Sequence, residues 1–168
     1  MRIAPTMRQV AVGATLLLTA PIFACAASAP TFEEIVGNHM TAEALLAAHY
    51  VAAARKAGMS NQEIGAVLRS VADATVIEEF WVTDESGKVV MTNMPDTPML
   101  FGHYAITRTQ ASDFYPLLSG VTDTVVQNLQ PRSPDGKRFK YVGVTGVDQK
   151  RAILIGVAAE GVEIPRSQ

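Results

Sequence analysis

A single cysteine, Cys25, stands in the 168 residues. With no second thiol there is no disulfide framework and no cysteine-rich metal site, so the fold has to rest on its apolar core. Histidine is almost as scarce, at His39, His49 and His103. Any imidazole-held metal or haem has to draw on these three, and their spacing matches no metal motif. His39 and His49 fall in one helical stretch, where their separation rotates one from the other by about 80° at 3.6 residues per turn. They cannot grip one ion alone. The Cys-x-x-Cys-His attachment is missing, which leaves a non-covalent haem with Met as second ligand as the alternative to the expectation of no cofactor and no metal.

Catalytic signatures are absent as well. No Gly-x-Ser-x-Gly elbow occurs, and Ser112, Asp113 and His103 are neighbours in sequence without the spacing of a triad. Gly143-Val144-Thr145-Gly146 carries two glycines between strands, not at a strand-to-helix turn, so no nucleotide loop is present. Glu78 and Glu79 occupy consecutive strand positions that face opposite ways, and are read as a solvated strand edge in place of an acid/base couple. The chain is not expected to be an enzyme. Excess positive charge is lacking too: the formal charge is −2, and losing the two positive charges of Arg2 and Arg8 with a leader makes it −4. That weighs against nucleic acid as a partner. The densest basic run, Lys137-Arg138-Phe139-Lys140, borders Asp135-Gly136 and reads as a solvated hairpin end.

What the N-terminus does contain is a secretory leader. Arg2 and Arg8 form its basic start, Val10 to Ala20 its apolar run, and no acidic residue precedes Glu33. Pro21 interrupts the run, which stays short of the roughly 18 to 20 residues that span a bilayer. Cleavage is therefore expected over anchoring, with no transmembrane helix in the mature chain. Two cuts fit the small-x-small rule, after Ala26 or after Ala29; the second places Pro30 next to the scissile bond, and Ala26 is preferred. Residues 1–26 are thus the expected signal peptide, 30–160 a single domain and 161–168 a tail. The expected location is periplasmic or secreted. Lipid anchoring through Cys25 is the alternative fate of that residue, because Ile22-Phe23-Ala24 partly resembles a lipoprotein box, although Phe23 is bulky where a small residue is usual.

The mature chain opens on two capping boxes. Thr31 with Glu34 starts an Ala-rich helix that ends at Ala57-Gly58, and Ser60 with Glu63 starts a second helix to about Ala74. Phe32, Ile35, Val36, Met40, Leu45 and Leu46 recur at helical spacing in the first, and Ile64, Val67, Leu68 and Val71 in the second. The period then drops to 2 over Val76 to Thr83, and Asp84-Glu85-Ser86-Gly87-Lys88 turns the chain into Val89 to Thr92. Pro95 and Pro98 begin an irregular crossover to about Gln110; a short helix or turn from Ala111 to Leu118 is limited by Pro116. Asp123 to Gln130, Arg138 to Thr145 and Ala152 to Ala159 complete a three-stranded meander. Segregated helices and antiparallel strands predict an α+β domain.

Trp81, His103, Tyr104, Arg108, Phe114, Tyr115, Lys140 and Tyr141 are the residue types that line small-molecule sites. Aromatic walls give apolar contact, and Arg108 has the fork that grips a carboxylate.

The phrases Glu78-Glu79-Phe80-Trp81-Val82-Thr83-Asp84-Glu85-Ser86-Gly87, Gln110 to Leu118, Val125-Val126-Gln127 and Phe139 to Val144 together resemble Cache domains, the PAS-like extracytoplasmic ligand-binding modules of bacterial chemoreceptors and sensor kinases. The resemblance covers roughly residues 33 to 159. It implies a long N-terminal helix packed on a five-stranded antiparallel sheet, with ligand held between the sheet and the crossover loops. It further implies a free-standing, sensor-type module that binds a small organic acid or amine and works with a membrane receptor or periplasmic complex. A non-catalytic interaction subunit of such a complex and a haem-binding sensor are the alternatives. Mass spectrometry of the exported protein should find Ala27 as the first residue and Cys25 removed; an acylated Cys25 at the N-terminus would instead make this a lipoprotein.

Overall fold

The computed structural model describes residues 29–96, 101, 110–132 and 135–162; the expected leader with Cys25, and all of the tail beyond 162, lie outside the described residues. Both capping boxes form. In the first, the Thr31 amide donates to Glu34 Oε2 at 2.6 Å and the Glu34 amide to Thr31 Oγ1 at 3.2 Å, which opens helix α1, Phe32–Lys56. Ser60 and Glu63 repeat the exchange at the start of α2, Asn61–Ala74. Between them Gly58 takes φ 83, and the bonds Gly58 N–H to Arg55 O and Met59 N–H to Ala54 O close α1 with a Schellman turn.

The strands are β1 (Glu79–Thr83), β2 (Val89–Thr92), β3 (Thr124–Val126), β4 (Gln130–Pro131), β5 (Arg138–Thr145) and β6 (Ala152–Ala158). They make one antiparallel sheet in the order β2-β1-β6-β5-β3, with β4 also on β5. The α+β class and the antiparallel sheet agree with the sequence, while strand bounds differ most in two places, the first being β1, which begins at Glu79 and not at Val76. The expected strand from Asp123 to Gln130 is split in two. Its last ladder bond is Gln127 N–H to Tyr141 O at 2.9 Å; after that Lys140 Nζ takes the Gln127 carbonyl at 3.1 Å and the Leu129 amide donates to Glu33 Oε1 at 2.9 Å. Two charged side chains have replaced the ladder there.

Both faces of the sheet are covered. On the first, Phe80, Val82, Val142, Ile153 and Ile155 pack against α1 and α2. Here the expected apolar stripe holds for Met40, which is buried, and Val36, which packs against the core, and is corrected for the rest. Phe32, Ile35, Leu45 and Leu46 are exposed, Leu46 at 70%, while α1 turns Met40, Ala44, Ala47, Ala48, Val51 and Ala54 to the sheet. Small side chains let a helix lie close to a pleated surface already filled by β-branched residues. In α2 only Ile64 and Leu68 of the four predicted residues are buried; Val67 and Val71 are partly exposed.

The second face carries Trp81, Phe139, Tyr141 and Leu154, capped by Phe101, Phe114, Leu117 and Leu118. Its cover is a 3-10 turn, Gln110–Phe114, leading into a short helix, α3, Tyr115–Ser119. Pro116 does not limit this helix as expected; it sits in its first turn, where proline's fixed φ and missing N–H cost nothing. Gly87, at φ 88, lets the crossover return: Phe101 N–H bonds Gly87 O at 3.0 Å, and a Cβ on Gly87 would lie 1.9 Å from Phe101 O. Phe101 is thereby held 6.4 Å from the Trp81 ring and 6.3 Å from Phe114.

Gly156 lies opposite Tyr141 in the β5–β6 register, and a Cβ there would stand 2.5 Å from Tyr141 Cε1. Gly156→Ala should therefore displace the tyrosine ring and destabilise the protein by about 1–3 kcal/mol, the usual cost of overpacking, measured by denaturant unfolding.

Candidate functional site

In strands β1 and β5 alternate residues face the same way. On β1 this puts Glu79 and Trp81 on the second face, and on β5 it puts Phe139 and Tyr141 beside them. Their polar groups converge on the Glu79 carboxylate, which is 2% exposed. Oε2 accepts from Trp81 Nε1 at 2.9 Å and from the Tyr141 hydroxyl at 2.8 Å. Oε1 is bonded by Nη1 of Arg132, the residue that follows β4. The Arg132 guanidinium lies 4.0 Å above the Phe139 ring, which stacks on Tyr141 at 5.6 Å. Its other two nitrogens fork onto Asp135, Nε to Oδ1 at 2.8 Å and Nη2 to Oδ2 at 2.7 Å.

The geometry explains how a carboxylate survives in this position. An ion taken out of water is tolerated only when paired and hydrogen-bonded, and Glu79 has one cation and two neutral donors. The surroundings shift their neighbours in turn. The Arg132 guanidinium holds the Asp135 carboxyl well below the usual carboxylate range. Burial pushes Tyr141 up to about 12, against the opposing pull of Arg132.

Of the residues predicted for a ligand site, Trp81 and Tyr141 are brought together through Glu79. Phe114 belongs to the same face, where its edge meets Phe101. Tyr115, on α3, is 37% exposed. Lys140 does not join them. As the strand neighbour of Tyr141 it points to the opposite face, where it is 1% exposed and its Nζ bonds Glu33 Oε1 at 3.2 Å and Gln127 O at 3.1 Å. The reading of Lys137 to Lys140 as a solvated hairpin end holds for Lys137 and Arg138 but not for Phe139 or Lys140, both buried. His103, Tyr104 and Arg108 lie outside the described residues.

Two members of the cluster were missed from sequence. Glu79, expected at a solvated strand edge, is buried, and of the pair only Glu78 is exposed. The available signal was the period of 2, which already puts Glu79 on the Trp81 face. Arg132, in a Pro-flanked loop, gave none. A third buried polar residue, Gln127, fixes the cover of this face to β3: its Nε2 donates to Gln110 O and to Asp113 Oδ2, both at 3.1 Å, and its Oε1 accepts from Gln110 Nε2 at 3.1 Å.

Among the described residues no group of three or more His, Cys, Asp or Glu is placed to hold a metal, and no helix is long and apolar enough to cross a membrane. His39 and His49 are both exposed on α1. No protein family and no curated protein was found to match this chain.

Two measurements test the cluster. Glu79→Ala should cost about 3 kcal/mol of stability, since it leaves the buried Trp81 N–H and Tyr141 hydroxyl without their acceptor and Arg132 with Asp135 as its one remaining carboxylate. Spectrophotometric titration should find one of the four tyrosines ionising near 12, absent from Tyr141→Phe. The folded state keeps that proton where the unfolded chain, at about 10, releases it. The contribution is therefore full below pH 10 and declines as the pH rises from 10 to 12.

Proposed function

We propose that this chain is an exported, Cache-like small-molecule-binding protein whose ligand is taken up on the sheet face opposite α1, beside Trp81 and Tyr141. The observation that carries this reading is the Glu79–Trp81–Tyr141–Arg132 cluster. The face under α1 admits Lys140 only singly, paired with Glu33, whereas this face gathers a buried carboxylate, an indole N–H, a phenol and a guanidinium into one hydrogen-bonded cluster among aromatic rings. A few convergent polar groups set among aromatic rings are the composition of small-molecule sites. The element order supports the same reading: two helices, a hairpin, a crossover and a meander, with the helices on one face and the crossover elements on the other. The module acts by binding and not by catalysis, for a membrane receptor or a periplasmic complex.

Trp81 is the chain's one tryptophan, so its fluorescence reports on the face directly. A thermal-shift screen of small organic acids and amines, on protein beginning at Ala27, should find compounds that raise the melting temperature and move Trp81 emission together. A broad panel that moves neither overturns the reading.

A further inference from the structure

Resting on the binding reading above, we infer that the ligand is a cation, an alkylguanidinium or primary amine, and that Arg132 occupies its place in this structure. The recogniser and its occupant are built differently. Glu79, Trp81, Phe139 and Tyr141 stand on the two sheet strands and are each 4% exposed or less, so the carboxylate and the rings are fixed in place. The cation between them comes from a hairpin turn: Arg132 N–H bonds Lys137 O, Gly136 N–H bonds Arg132 O, and the Arg132 side chain is 17% exposed. A buried carboxylate beside an aromatic face is what recognises an organic cation, by charge and by the ring quadrupole together.

The charge balance lets the occupant leave. Withdrawing a cation from a buried carboxylate is strongly unfavourable when nothing replaces it. Here the fork onto Asp135 gives Arg132 a counter-ion other than Glu79, three residues away in the chain. A ligand ammonium or guanidinium entering at Glu79 therefore leaves no charge unpaired on either side. An anionic ligand meets the reverse situation, because it adds a second negative charge beside Glu79.

The test is chemical replacement of the missing side chain. Arg132→Ala should melt below the wild type, and methylguanidinium chloride should raise its melting temperature saturably, by on the order of 10 °C at about a hundredfold excess over Kd. Equal concentrations of sodium chloride should not do so. The double variant Arg132→Ala, Glu79→Gln should show no such rise; an equal rise in it, or none in Arg132→Ala, overturns the proposal. Should Arg132→Ala fail to fold, the wild type answers the same question: agmatine should shift Trp81 emission saturably, and no shift overturns the proposal. Acetate and succinate separate the two readings. If they shift emission and melting while agmatine and methylguanidinium do not, the cation assignment falls and small-molecule binding stands. If none of the four does, both fall.

Discussion

Burial of β6 on both sides is the constraint from which the rest of this structure follows. All seven of its residues, Ala152 to Ala158, are buried, in an antiparallel sheet, where one solvated face is common. Two covers are therefore needed, and the chain supplies unequal ones. The first is a continuous helical layer of α1 and α2; the second is assembled from Phe101, a 3-10 turn and the five-residue α3. Hydrogen bonds through Gln127 and the Phe101–Gly87 contact hold the second cover down.

The inequality decides where chemistry can sit. Under α1 and α2 the packing is mostly apolar, and the buried cations there are paired at its margins, Lys140 with Glu33 at the start of α1 and Arg151 with Asp148 before β6. Under the patchwork cover a carboxylate is admitted with its partners. Because neighbours along a strand part to opposite faces, β5 serves both regimes at once: Lys140 anchors the helix while Tyr141, one residue on, completes the carboxylate cluster.

Element positions were legible in the sequence because they depend on neighbours in the chain. Thr31 with Glu34 and Ser60 with Glu63 set both helix starts, and Gly58 the first helix end. The β1–β2 turn likewise follows from Asp84 and Gly87. Which face an element buries was less legible. In β6 the run Ile153-Leu154-Ile155-Gly156-Val157 has no polar alternate to mark an outside, and in α1 the sheet takes the alanines while leucines remain outside. The cluster was hidden for a further reason: Glu79 meets Arg132 and Tyr141 across 53 and 62 residues of chain. Pairing over such distances is set by the register β1 and β5 each share with β6, which local patterns do not encode.

The split between β3 and β4 has a consequence for the molecule among its neighbours. An edge strand offers a row of free amides and carbonyls on which another chain can add a strand, the first step toward aggregation. Here the outer strand breaks after Val126, and the Leu129 amide and Gln127 carbonyl are already engaged by Glu33 and Lys140. The opposite edge is β2, four residues long. Each border thus offers a second chain only a short stretch of strand.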